Sequence, residues 1–393
     1  MRTSDGRNDR WFRNSLFWKK VLNNKSVSVL FVLLLVFLDI LLFTRISYLF
    51  EPVVIVFRII GPPVIVAGIF YYLLNPLVDI LEEKGISRTL SIILLLLLLV
   101  LLLVLGGWLI LPILQKQFLS FLENWPSYWE TIVTEVDGLT KNQYLSDLTA
   151  SLGQTDLLQT LSEYSTKLLN AALGGLTNVI GTVTQLFIVL FTMPFILYYL
   201  LKDGKQLPEH ILPFIPIKMR KKVTEVGVEA HTQLSQYIRG QLLVAFFVGL
   251  IFWISFTVIK LDYALFLGVL AGCLNLIPYL GSILATIPAL IIGLVHSPFM
   301  LLKVLVVFGI EQLIEGRVLS PQIIGSNLNI HPVTIIFILL VAGRLFGVTG
   351  VILGIPGYAV LKIILSHLFS WYSESSGLYE GDIVSSESVE ESK

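Results

Sequence analysis

Glu311 and Glu315 lie four residues apart near the end of an apolar stretch, and Arg317 follows closely. That spacing puts the two carboxylates on one helix face. Two carboxylates facing one way in a membrane span suit a proton or cation site; the plainer alternative is a salt-bridged helix end. An ionised side chain at the centre of a span costs about 2.5–3.5 kcal/mol, so it is kept where it is paired, hydrated or used. Gly316 would allow close backbone approach beside Glu315. Asp39, mid-way along the first apolar run, and Arg58, just before Gly61-Pro62-Pro63, form a second candidate pair. They read either as proton- or cation-linked residues or as a structural ion pair, with snorkelling open to Arg45 and Arg58. His331 and Pro332 open the last apolar unit, and a lone histidine there reads as structural.

Catalytic motifs are missing. The chain has no Gly-x-Ser-x-Gly, no His-Glu-x-x-His and no Walker A loop. Its five histidines are not clustered, and Cys273 is its one cysteine, so neither a disulfide within the chain nor a cysteine metal site is expected. No enzyme activity, cofactor or metal is expected.

Lipid must be the solvent for much of this chain. Of its 393 residues 55% are hydrophobic and 14% charged, with mean hydropathy +0.83; soluble domains carry about 25% charged residues. Net charge is zero, so no basic field points to nucleic acid. Apolar runs at 27–50, 52–80, 90–114, 174–201, 240–259 and 298–318 each approach or exceed the length of about 20 residues that crosses a bilayer. The second is interrupted by Gly61-Pro62-Pro63. Two further units are split: 261–295 at NLIPYLGS (275–282), and 332–369 at GRLFGVTG (343–350). Their halves are short for straight crossings and fit broken or re-entrant hairpins, whose irregular backbone survives only where protein or water satisfies it. The two units resemble each other weakly, as Ala271-Gly272 then Gly281 to Pro288 against Ala342-Gly343 then Gly350 to Pro356. Such repeats mark binding sites in many transporters.

The expected fold is all-α, a polytopic helical membrane protein with about eight transmembrane segments, broken or re-entrant helices included. Residues 1–26 form a basic N-terminus, 27–114 the first three transmembrane helices, and 115–173 an external amphipathic helical segment. Residues 174–369 form a transport core with a cytoplasmic loop at 202–239. The acidic tail 370–393 should be disordered. Basic residues crowd 1–26 and 202–239, whereas 115–173 is acidic. By the positive-inside rule both termini face the cytoplasm and 115–173 faces outward.

Three stretches in order, NLIPYLGSILATIPALIIGL from Asn275, EQLIEGRVLSPQIIGSNLNIHP from Glu311 and AGRLFGVTGVILGIP from Ala342, resemble the AI-2E family of bacterial membrane transporters, as does YYLLKDG from Tyr198. With the flanking spans the resemblance covers about 25–369. It implies a homo-oligomeric, permease-like protein of the bacterial cell membrane. Some members are described as exporters of autoinducer-2, others as sodium (lithium)/proton antiporters. The motif positions are Pro278, Gly281, Pro288, Glu315, Pro321, Pro332, Gly347, Gly350 and Pro356; Asp39 and Arg58 lie outside them.

The first reading is a secondary transporter moving a small molecule or ion. Asn275, Pro278, Gly281, Pro288, Pro321, Gly347, Gly350 and Pro356 would line the pathway, and Glu311, Glu315, Arg317 and Asp39 would carry proton or cation coupling. The rival is a membrane scaffold or regulatory subunit that binds a partner through 115–173. Polar groups converging at the broken helices would favour transport; a packed bundle without them would favour the scaffold.

Overall fold

The computed structural model describes residues 25–140, 167, 179–278, 280–324 and 330–376. The basic N-terminus up to residue 24, most of 141–178 and the tail from 377 lie outside the described residues. Among the described residues every regular element is helical, and the chain is an all-α polytopic membrane protein. Among the described residues five helices are long and apolar enough to cross a bilayer. Residues 1–62 and 63–393 form two compact units.

In the first unit, α1 (Lys25–Ile46) is 22 residues long, about 33 Å at 1.5 Å per residue. Its leucines, valines and phenylalanines are largely exposed, the pattern of a helix whose solvent is lipid.

α2 spans Glu51–Glu83 and continues through Gly61-Pro62-Pro63. The expected interruption is therefore not a break in the helix, in keeping with the tolerance of membrane helices for proline. From Pro63 onward α2 belongs to the second unit. There Ala67, Leu74 and Val78 pack with Ile92 and Leu95 of α3 (Arg88–Thr140) and Met193, Leu197 and Leu201 of α4 (Val179–Asp203). Arg88 ties the ends of these three helices. Its Nε and Nη2 donate to the Leu201 carbonyl at 2.9 and 2.6 Å, and its Nη1 donates to Asp79 and Glu82 at 3.0 and 2.9 Å.

α3 has 53 residues, about 80 Å, more than twice a hydrocarbon core of about 30 Å. The apolar run 90–114 and the first part of the amphipathic segment are thus one helix. Its far end carries Phe118, Phe121, Leu122, Trp125 and Tyr128 at helical spacing, packed with Tyr263 and Phe266.

After the short α5 (Leu207–Ile211) comes α6 (Ile217–Val258), whose first half is basic and polar and whose second half is apolar. One stripe of α6 is buried: Tyr237, Gln241, Val244, Val248, Phe252 and Phe256, spaced by three or four. Against it lies α7 (Ala264–Leu274), the first arm of a hairpin whose second arm is α8 (Leu280–His296). A Cβ on Gly281 would strike the backbone of Leu274 and Asn275, so only glycine lets the two arms close.

α9 (Pro298–Ile314) packs on α8 and passes into a π-helix, Glu315–Ile324. α10 (Pro332–Ser376) is two helices joined at Gly347, where φ is 62° and ψ −143°, a combination that glycine adopts and other residues rarely do. This is the second hairpin. Gly350 sits directly on the Ala342 carbonyl, as Gly281 sits on Leu274.

Candidate functional site

The first hairpin turns inside the protein. α7 ends at Leu274, and the backbone reverses through Asn275, Leu276, Ile277 and Pro278. Helix ends leave carbonyls without partners, and a buried turn must find them elsewhere. The Asn275 carbonyl is met by Gln241 of α6, whose Nε2 donates at 2.6 Å. The Pro278 carbonyl accepts from Leu280 N at 2.8 Å, and Gly281 N donates to Ile277 O at 2.9 Å.

The side chains at this turn are polar and enclosed. Asn275, Ser282 and Thr286 are 0, 1 and 2% exposed. Ser282 Oγ lies 2.7 Å from Glu315 Oε2 and 3.2 Å from Asn275 Oδ1, donating toward both. A hydroxyl has one proton, so the shorter contact to the carboxylate takes it. Rotating the Asn275 amide would turn its Nδ2, otherwise buried without a partner, toward the serine oxygen as a donor.

Among the described residues Glu311 is the one charged side chain that is fully buried. On α9 the buried positions are Met300, Val304, Val307 and Glu311, a single stripe at helical spacing. The glutamate therefore occupies the next core position of an apolar face, and it is fully buried. Gln312 Nε2 donates to its Oε2 at 3.0 Å, while Oε1 has no partner. Glu315, one helical turn beyond Glu311, holds Ser282 Oγ at 2.7 Å. Among the described residues neither glutamate is in a salt bridge.

The second hairpin packs against the same turn. Ile335, Leu339 and Ile355 form a buried cluster with Tyr237, joined by Ile277 and Leu280 from the first hairpin. The Tyr237 hydroxyl and Gln241 Oε1, on successive turns of α6, are buried without partners. Four polar side chains thus hold an unpartnered atom in or beside this turn: Tyr237, Gln241, Asn275 and Glu311. Each such atom costs about 1–3 kcal/mol if nothing meets it.

Residues 27–370 match the family described as AI-2E family transporter. The chain belongs to the AI-2E family. It is 35% identical to YueF of Bacillus subtilis, an alignment covering 86% of this chain and 90% of that protein. To YrrI of the same organism it is 33% identical over 87% and 96% of the two chains. To the AI-2 transport protein TqsA of Escherichia coli it is 26% identical over 77% and 84%. Its role is accordingly transport across a membrane.

Within this AI-2E protein the sequence candidates separate. Asn275, Pro278, Gly281, Glu311 and Glu315 come together at the first turn. Pro288 lies inside α8, Pro321 in the π-helix and Pro356 inside the second arm of α10. Gly350 seals the second hairpin, whose tip at Gly347 projects away, with Leu345, Phe346 and Val348 67, 70 and 77% exposed. Arg317 is exposed and in no ion pair among the described residues, and Asp39 and Arg58 are exposed in the first unit. Gly316 meets nothing within 4 Å, so close approach is not its use. Sequence reasoning missed Ser282, Gln241 and Tyr237. The signal for the last two is that they are polar residues on the stripe continued by Val244, Val248 and Phe252.

Proposed function

We propose that this AI-2E protein is a secondary transporter in which Glu311 and Glu315, at the break of the first hairpin, bind and release a proton or a monovalent cation as a small solute passes the broken helices. The observation that carries this reading is the fully buried Glu311, one helical turn from a second carboxyl and, among the described residues, in no salt bridge. Two neighbouring carboxyl groups repel when both are ionised, so the pair favours a proton or a cation between them. A scaffold has no use for such a pair. An apolar residue at position 311 would hold such a scaffold together as well or better.

TqsA is named as a transporter of AI-2, which puts autoinducer-2 among the solutes to try, beside sodium, lithium and protons. The reading includes a homo-oligomer with both termini on the cytoplasmic side, in keeping with the basic segments 1–26 and 202–239. The test is flux in proteoliposomes for these four solutes in parallel, comparing wild type with Glu315→Gln. Gln keeps the shape and removes the charge. The expected result is loss of flux per inserted oligomer, with the elution volume in detergent unchanged. Wild-type specific flux in the variant would remove Glu315 from the mechanism.

A further inference from the structure

A groove of ≈ 610 Å³ runs between the first turns of α6 and the last turns of α10. Lys218, Lys222 and Val226 line one wall, and Ile364, Leu368 and Trp371 the other. On each helix these positions fall three or four apart, so each presents one continuous strip. The groove is bridged by His367 Nε2 and Glu229 Oε2, 2.9 Å apart. Its walls are mainly apolar, and its positive charge comes from the lysines.

The chain itself supplies a complement. The helical part of α10 ends at Ser376, five residues after Trp371. Residues 377–393 then carry Glu380, Asp382, Glu387, Glu390 and Glu391 against the single base Lys393. The apolar residues Leu378, Tyr379, Ile383 and Val384 flank the first two acids. These 17 residues reach up to about 55 Å when extended. The α10 wall from Ile364 to Trp371 is only about 10 Å long, so the reach is ample.

We propose that the acidic segment 377–393 folds back into the groove between α6 and α10, its apolar residues on the groove walls and Glu380 and Asp382 at Lys218 and Lys222. Both the charge and the apolar character match, and the attachment point lies at the mouth of the groove. Tethering over so few residues gives an effective concentration of about millimolar. An anionic phospholipid offers related chemistry without a tether and is the rival occupant. A docked tail leaves insertion and assembly to the helices, and it makes the α6–α10 junction sensitive to anything that modifies or displaces it.

The test uses the full-length protein with Cys273→Ser, in nanodiscs of phosphatidylcholine. Cysteines are placed at Met219 in the groove and Val384 in the tail. A control pairs Val384→Cys with a cysteine at Lys221, whose side chain is 90% exposed. The expected result is an oxidative cross-link within one chain for the Met219 pair, in yield severalfold above the control. Glu380→Lys with Asp382→Lys should lower that yield severalfold, and Lys218→Glu with Lys222→Glu on the same chain should restore it. The tail variant leaves the helical body untouched, so the test survives if the groove variant fails to fold. Equal yields for the two pairs would overturn the proposal. So would a cross-link found only between chains, which would give the groove to a second copy. Co-purified anionic lipid that is lost with Lys218→Glu and Lys222→Glu, in the absence of a cross-link, would give it to phospholipid.

Discussion

Ser282 on α8 donates its hydroxyl proton to Glu315 Oε2 at 2.7 Å, joining the first hairpin to the π-helix behind it. This bond ties a carboxylate on one element to the turn of another. Removing the hydroxyl takes away a donor and leaves the rest of the buried cluster in place. Ser282→Ala is therefore expected to lower transport about 10- to 100-fold per inserted oligomer, the equivalent of a charge-assisted hydrogen bond of about 1.5–3 kcal/mol. Ser282→Thr keeps the hydroxyl and should retain more activity. Flux in proteoliposomes checks both, and equal activity for wild type and the alanine variant would show that the bond is incidental.

A second variant separates architecture from transport. Arg88 holds the Leu201 carbonyl with two nitrogens and two carboxylates with a third. Lysine has a single nitrogen on a flexible stem and cannot make this fork. Arg88→Lys should lower the thermal midpoint in detergent, with a loss of about 2 kcal/mol from the charge-assisted bonds. Specific flux of the surviving folded protein should change little, since Arg88 belongs to the α2–α3–α4 bundle and lies outside the cluster around Glu311.

Much of this arrangement is legible in the sequence, for reasons that differ from residue to residue. The helices show through apolar length, and both hairpins through their Gly-rich breaks, because short apolar halves cannot span lipid. Glu311 shows because it lies in an apolar stretch four residues from a second carboxylate, Glu315. Ser282 does not, because a serine next to a glycine reads as turn chemistry, and its partner is 33 residues away. Gln241 is hidden differently: its role is set by the carbonyl at the end of α7, and side-chain patterning carries no record of which backbone groups lack partners. The run through Gly61-Pro62-Pro63 misleads in the opposite direction. Local propensity predicts a break, whereas in lipid neighbouring groups can resupply what proline removes.

Topology gives the third expectation. The charge pattern places residue 142 outside and Lys221 inside. In a Cys273→Ser background, single cysteines at these positions should react with a membrane-impermeant maleimide from opposite sides of intact cells. Lys221 is well suited as a reporter because its side chain is 90% exposed. Labelling of both from outside would reverse the orientation of the α4–α6 connection.

Glu311→Met is the most discriminating substitution. Methionine has nearly the volume of glutamate and a flexible side chain that fills irregular space. It carries no carboxyl oxygen, so the atom buried without a partner in Glu311 disappears, along with the charge held against Glu315. Replacing a buried, imperfectly satisfied charge with a packed apolar side chain is often neutral or stabilising, by about 1–4 kcal/mol. The thermal midpoint in detergent should hold or rise. Transport, if the carboxyl pair carries the proton or cation, should fall to the level of empty liposomes, because one of the two carboxyls that make the site is gone. Glu311→Gln should be less stable than Glu311→Met, since the amide is also polar and buried, and equally inactive. A midpoint that falls sharply with methionine would mean that Glu311 is held by contacts of structural value. Flux that persists in both variants would move coupling away from this pair. A stable and inactive protein is the outcome expected of a residue retained for transport at a cost in stability.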